Sequence, residues 1–257
     1  MPRSLKAVRP RIVSLAPSVT SILLALGARR DVVGVSKWCK DVVCVGSLPQ
    51  VGDCWKMDVG EVMRLRPTLL IGSVPFAADT VAKLLEQPVA FLALNPRSLA
   101  DIESNVRLLG RLANRAGAAE KLIARMRGAF AEVARRASKM RARPRVYCEA
   151  WPNPRISSPP WVAELVSLAG GEFVTRPGER VSDEAVARAN PELMILAWTA
   201  TGERADRSRA LQNPAWHDTL AVKNGRVVVI RDQLLNTPGP PLMQGARELF
   251  RAIHGRR

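Results

Sequence analysis

Apolar residues in the middle of the chain recur at helical spacing. Between Arg115 and Met140 they fall at Ala119, Leu122, Ile123, Met126, Phe130, Val133, Ala134 and Ala137, one stripe of a helix. Arg125, Arg127, Arg135, Arg136 and Lys139 occupy the remaining faces, and no proline interrupts the run. Ala, Glu, Lys, Arg and Leu dominate, so intrinsic propensity agrees with the pattern, although Gly117 and Gly128 each cost about 1 kcal/mol against alanine. The pattern predicts a helix over 115–140, roughly 40 Å long at about 1.5 Å per residue. It divides the chain into an α/β lobe over 1–114, the helix itself, and a second α/β lobe over 141–257.

On either side, short apolar runs alternate with helical patterns. In the first lobe the strands are expected at 11–15, 32–35, 69–71 and 89–94. Helices are expected at 18–26, with Ser18 as N-cap and Gly27 as stop, then at 58–66, 80–85 and 98–112. The stretch 39–56, with Gly46, Pro49 and Gly52, reads as irregular. In the second lobe strands are expected at 145–148, 193–197 and 226–230. Helices are expected at 161–168, 183–189 and 242–253, and a turn or helix at 215–222. Strands alternating with helices imply mostly parallel sheets. An internal repeat supports two similar lobes. EVMRLRPTLLI, starting at Glu61, aligns with EAVARANPELMIL, starting at Glu184, when Pro67 is set against Pro191. Val62 then faces Val186, Leu69 faces Leu193 and Ile71 faces Ile195. Each copy reads as a short helix, a proline stop and a buried strand.

Composition adds limits. The chain has 257 residues, 47% of them hydrophobic, enough for real cores. No apolar run approaches the roughly 20 residues of a membrane span. The start, MPRSLKAVRPRIVSLAPS, is basic without the apolar core of a secretory signal, which reads as a cytosolic protein, a processed one or a trimmed start. Net charge is +16, from 39 Lys and Arg against 23 Asp and Glu. The basic residues are spread out except on the long helix, and no nucleic-acid motif accompanies them, so a solvated basic surface is expected and no nucleic acid. Cys39, Cys44, Cys54 and Cys148 form no CxxC pair and only two histidines exist, which argues against a structural zinc site. Cys148, in an apolar run, is expected to be a small buried hydrophobe. Sequence leaves a disulfide among the other three open.

Catalytic chemistry finds little support. There is no GxSxG, P-loop or post-strand GxGxxG. His217 and His254 sit in a turn-like and a C-terminal setting, and the carboxylates Asp53, Asp58 and Glu149 are of a kind every α/β protein offers. No catalytic residue and no metal site are assigned. The aromatic distribution says more: six Trp stand against one Tyr. Trp38 and Trp55 lie in loops of the first lobe, and Trp151 and Trp198 each follow a predicted strand of the second. Ligands of open α/β sheets bind beyond the carboxyl ends of the strands. These four are therefore the candidates for stacking a large flat ligand, whereas Trp161 and Trp216 read as packing.

Several blocks, taken together and in order, carry a family resemblance. They are RIVSLAPSVTSILLALG, DVVGVS, VGDCWKMDVGEVMRLRPTLLIG, WVAELVSLAGGEFV, VSDEAVARANPELMIL and NPAWHDTLAVKNGRVVVI. The chain resembles the substrate-binding proteins of cobalamin and ferric-siderophore ABC importers over nearly its whole length, and the cobalamin binders most around VGDCW. The resemblance implies two α/β lobes joined by one long helix that limits hinge motion, with the ligand between them. It implies a monomer outside the cytoplasm that is not transmembrane, is not an enzyme, carries no cofactor, and delivers a corrinoid to a permease. A ferric siderophore is the alternative ligand; direct ferric ligation is disfavoured, since Tyr147 falls within a predicted strand. A cytosolic ligand-handling module or enzyme on the same scaffold is the alternative function. Trp55 matches a residue lining the corrin pocket, and Trp38 falls where another pocket aromatic sits. Permease docking through one surface glutamate per lobe maps to Glu184 in the second lobe. In the first lobe the aligned position is Gly60, with Glu61 one residue later. A glutamate usual after SVT is Ser21 here, and a second-lobe pocket tryptophan finds no match near Gly178, a role open to Trp151 or Trp198.

Overall fold

The repeat read from the sequence is the frame on which both sheets are laid. A computed structural model describes residues Arg9–Gly255; the basic N-terminal stretch up to Val8 lies outside the described residues. The chain divides into two units. The first comprises residues up to Asn95 together with Ser104–Leu122, and the second comprises Pro96–Glu103 together with Ile123 onward.

In the first unit, β1 (Ile12–Ser14), α1 (Pro17–Ala25), β2 (Val32–Ser36), β3 (Gln50–Val51), α2 (Val59–Arg64), β4 (Leu69–Ser73), α3 (Ala78–Leu85) and β5 (Ala90–Leu94) follow one another. The sheet order is β3-β2-β1-β4-β5, and every pairing is parallel. Val13, Leu15, Val51, Val62, Leu70 and Leu84 form its buried core. The cap of α1 corrects the sequence expectation. Ala16 is the N-cap and Pro17 opens the helix, a position where proline's missing N–H costs nothing. Ser18 lies inside the first turn, buried.

Helices α4 (Leu99–Leu112) and α5 (Ala116–Ala137) contribute residues to both units. The 22 residues of α5 are fewer than expected: the chain leaves the helix after Ala137 in turns, with the Met140 amide bonded to the Ala137 carbonyl. The predicted stripe is the buried face, since Ala119, Leu122, Ile123, Met126, Phe130, Val133 and Ala137 are all buried.

The second unit continues with β6 (Arg145–Pro152), β7 (Arg155–Ser157), α6 (Pro160–Leu168), β8 (Glu172–Phe173), α7 (Asp183–Ala189), β9 (Leu193–Leu196), α8 (Arg207–Leu211), α9 (Leu220–Lys223), β10 (Val227–Val229), α10 (Asp232–Leu235) and α11 (Leu242–His254). The sheet runs β10-β9-β6-β7, with β8 also on β6. Only β7 is antiparallel, against the end of β6, which is longer than the sequence suggested because β7 turns straight back onto it. Tyr147, Val186, Met194, Leu196, Trp216 and Val227 lie in its core.

The two repeat copies use the same backbone devices at aligned positions. Asp58 caps α2 and Ser182 caps α7. Arg66 and Asn190, each just before the aligned proline, adopt left-handed φ of 47° and 42°. The first strand of each unit then closes the turn. Arg11 Nε donates to the Arg66 carbonyl at 2.8 Å, and Arg145 Nε to the Asn190 carbonyl at 3.0 Å. The Arg11 amide donates to Thr68 Oγ1 and the Arg145 amide to Glu192 Oε2, both at 2.9 Å. A left-handed turn exposes its carbonyl, and an arginine at the start of the neighbouring strand satisfies it in both copies.

Candidate ligand-binding site

The first unit builds its aromatic surface on one carboxylate. After β2 the chain enters a 3-10 turn, Lys37–Asp41, that carries Trp38; after β3 it bends sharply at Gly52. A Cβ at Gly52 would stand 2.5 Å from the Lys56 carbonyl oxygen, so only glycine lets the loop close on itself there. Asp53, buried, fills the centre. Its Oδ1 accepts the amides of Trp55 and Lys56 at 3.0 and 2.9 Å, the side chain–backbone turn that Asp favours. Its Oδ2 accepts the Trp38 indole N–H at 3.1 Å and pairs with Lys37 Nζ at 2.8 Å. Burial alone would raise this carboxyl, but bonds from Lys37, the two amides and the indole outweigh it and hold it at about 2. The Lys37 ammonium also lies 5.1 Å from the centre of the Trp38 ring. The result is a loop tied to one carboxylate and presenting two indoles, Trp55 at 58% exposure and Trp38 at 38%.

The neighbouring thiols do not compete for chemistry. Burial and the Asp53 charge push Cys54 up to about 11, so it stays a neutral thiol and a poor nucleophile near neutral pH. All four cysteines are free thiols; Cys39 and Cys148 are buried, and burial pushes Cys148 up to about 12.

The second unit uses a carboxylate in the opposite sense. Glu149, inside β6 and fully buried, accepts the Tyr147 hydroxyl at 2.7 Å, the Trp198 indole N–H at 2.7 Å and Arg155 Nη1. Arg155 Nε donates to Asp183 at 2.6 Å, and its guanidinium lies 4.2 Å from the centre of the Trp216 ring. Trp198 is therefore buried rather than presented, at 6% exposure. Trp151 does reach solvent, at 41%, with its N–H turned back to the Asn153 carbonyl at 2.7 Å. Burial and the Glu149 charge push the Tyr147 hydroxyl far above its ordinary value. Trp161 and Trp216 pack inside, as their sequence setting suggested; Trp216 is fully buried rather than at the surface of its turn.

Comparison with known proteins decides the family. Residues 12–234, from β1 into α10, match the family model described as "Periplasmic binding protein". The chain belongs to the periplasmic binding protein family. That family comprises substrate-binding transport proteins rather than enzymes. An ABC transporter substrate-binding lipoprotein of Bacillus subtilis is 26% identical over 98% of this chain and 82% of its own length. A cobalamin-binding protein of Halobacterium salinarum is 25% identical over 95% of this chain and 69% of its own. The crystal structure of a periplasmic heme-binding protein from Pseudomonas aeruginosa superposes with a TM-score of 0.82 at 26% identity, covering 95% of this chain and 92% of that one. Among the described residues no helix is long and apolar enough to cross a membrane.

Two glutamates singled out in the sequence, Glu184 and Glu61, are exposed. Glu184 is the second residue of α7 after its cap Ser182, and Glu61 is the third of α2 after its cap Asp58. They are not equivalent: Gly60 occupies the matching place, and one helical step turns a side chain by about 100°. Its first-turn amide and the Ser182 hydroxyl hold Glu184 below the ordinary carboxylate range. The residues the sequence did not assign are the organisers, Asp53 with Lys37 and Glu149 with Arg155. Asp two places before a tryptophan in a Gly-flanked loop, and Glu within the apolar run YCEAW, were the available signals.

Proposed function

We propose that this protein binds cobalamin or a related corrinoid and delivers it to the permease of an ABC importer, outside the cytoplasm. The observation that carries the reading is the pair of exposed indoles, Trp55 and Trp38, held by Asp53. A corrin is broad and largely apolar on its faces, and a fixed indole covers such a face at little entropic cost. A corrinoid also arrives with its metal already chelated. That suits a chain whose single tyrosine, Tyr147, is buried on Glu149 and whose histidines number two. The cobalamin-binding relative supports the same ligand. A ferric siderophore is the second reading, favoured by the net charge of +16.

Calorimetric titration with cobalamin, hemin and a ferric siderophore tests the assignment. Cobalamin is expected to bind, and Trp55→Ala to weaken it by about 30-fold or more, as for a desolvated aromatic anchor worth about 2 kcal/mol. A folded Trp55→Ala protein that binds as tightly as wild type would remove Trp55 from the site. No cobalamin binding by wild type would remove the corrinoid. For the permease, Glu184→Ala is expected to weaken coupling to the transporter in reconstituted vesicles, increasingly at low salt, with ligand affinity unchanged.

A further inference from the structure

The second unit holds a small cavity of about 110 Å³ whose walls include Pro152, Arg155, Trp198, Arg209 and Trp216, over the buried Glu149. A water's share of liquid volume is about 30 Å³, so the space has room for a few waters or for one group of that combined size. Two of its lining residues are arginines, Arg155 and Arg209. Arg155 is fixed on two sides, by Glu149 at Nη1 and Asp183 at Nε, and stacked on Trp216. Its hydrogen bonds use Nε and Nη1. Arg209, on α8, lies 5.5 Å from the centre of the Trp198 ring; it makes no ion pair within 4.0 Å among the described residues, although its charge helps to hold Asp206 below the ordinary carboxylate range. The acid one turn away, Asp206, is taken by the Ser208 amide and hydroxyl at 2.9 and 2.6 Å. Glu149 also lines the cavity, but it accepts from Tyr147, Trp198 and Arg155, and the ion pair with Arg155 offsets its charge.

We propose that this cavity is an oxyanion subsite, in which Arg155 and Arg209 grip one carboxylate or phosphate group of the transported ligand. Two planar forks, each oriented by an indole face, are pre-organised for oxygen pairs in a way a lysine is not. The assignment of the gripped group to the transported ligand rests on the ligand-binding reading above; the anion site itself does not. It implies that the ligand is not merely flat but carries an acidic arm, which a corrinoid supplies as its nucleotide-loop phosphate and a heme as its propionates.

The test begins with small probes on the full chain at constant ionic strength: inorganic phosphate, propionate and the neutral isostere propionamide. The indole N–H resonances of Trp198 and Trp216 are the reporters. Saturable shifts with phosphate or propionate, weaker with propionamide, are expected, and Arg209→Gln should weaken them by about tenfold or more, a loss of the order of one charge-assisted contact. Arg209 is exposed, so the variant is expected to keep the wild-type melting temperature. Shifts that grow linearly, that match propionamide, or that persist unchanged in Arg209→Gln overturn the subsite. Whole ligands then separate the two sources. With phosphate as the group, Arg209→Gln weakens cobalamin but not cobinamide, which lacks the nucleotide loop. With carboxylate, it weakens hemin but not hemin dimethyl ester. Cobalamin binding without any anion effect would remove the subsite and leave the corrinoid reading in place. Anion binding without cobalamin binding would do the reverse.

Discussion

Asp53 and Glu149 perform the same local act with opposite consequences. Each accepts an indole N–H and an ion pair: Trp38 with Lys37 in one unit, Trp198 with Arg155 in the other. Asp53 sits on a loop, and its second oxygen binds the amides of Trp55 and Lys56. Its reach is short, so it folds the backbone around itself and the indoles are pushed outward. Glu149 sits within β6, and its longer arm gathers partners from the same strand, from β7 and from beyond β9. Those partners are drawn inward. The first carboxylate makes a surface; the second makes a core. Arg suits the second because its planar fork spans Glu149 and Asp183 at once, while Lys37 suffices as a point charge at a half-exposed rim.

The largest effect should come from breaking the core version. Glu149→Ala leaves a buried Tyr147 hydroxyl, the Trp198 N–H and one arm of Arg155 unpaired. Removing one partner of a buried ion pair costs about 3–5 kcal/mol. Urea unfolding should show the midpoint falling accordingly, with the slope unchanged. A loss under about 1 kcal/mol would mean that Glu149 is not the organiser described here.

Breaking the surface version should move function more than stability. Asp53→Ala frees Lys37, Trp38 and two loop amides, all at or near solvent. About 1 kcal/mol of stability is expected to go, in line with modest net hydrogen-bond contributions. Cobalamin affinity should fall by about tenfold, through loss of pre-organisation. Acid gives the same comparison without mutation. The folded Asp53 carboxyl is depressed to about 2 from 3.8. A depressed carboxyl stabilises above its unfolded value and loses that contribution as pH falls toward the folded one. The loop should therefore hold from neutrality down to about pH 4 and loosen between about 4 and 2, reported by a red shift of Trp38 and Trp55 emission. Asp53→Asn should abolish that step; a step that survives belongs to another group.

The sequence made the frame of both units legible because period and punctuation are local. The α5 stripe, the strand–helix alternation and the Pro67/Pro191 repeat each depend on residues within a turn or a strand. The elements it did not show are β3, β7, β8, α8 and α10, all of two to five residues and too short to carry a period. β7 exists only because the chain after Trp151 turns back on β6, a tertiary event. The site was half legible for the same reason. Tryptophans near strand ends could be counted, and Trp38, Trp55 and Trp151 do reach solvent. The burial of Trp198 follows from Glu149, which lies 49 residues away in the chain, and no local pattern records that partnership. Ser18 shows the complementary limit, since a good N-cap residue was displaced by Pro17 opening the helix one residue before it.

The smallest expected effect, at Trp38, gives the finest test of the comparison when it is set beside Trp198. Trp38→Phe and Trp198→Phe each keep an aromatic ring and delete one indole N–H bonded to a carboxylate. At Trp38 the Asp53 oxygen keeps Lys37 at 2.8 Å, and solvent is at hand to replace the lost donor. Stability should change by less than about 0.5 kcal/mol and cobalamin affinity by less than about threefold. At Trp198 the lost bond is the 2.7 Å contact to Glu149 Oε1, between two buried side chains. An acceptor stranded in the core costs about 1–3 kcal/mol, and the new ring leaves part of the indole volume empty. Paired thermal melts on the two variants, with calorimetry on each, decide the matter. Equal losses of stability would show that burial does not separate the two carboxylates. A larger loss at Trp38 would reverse their assignment as surface and core.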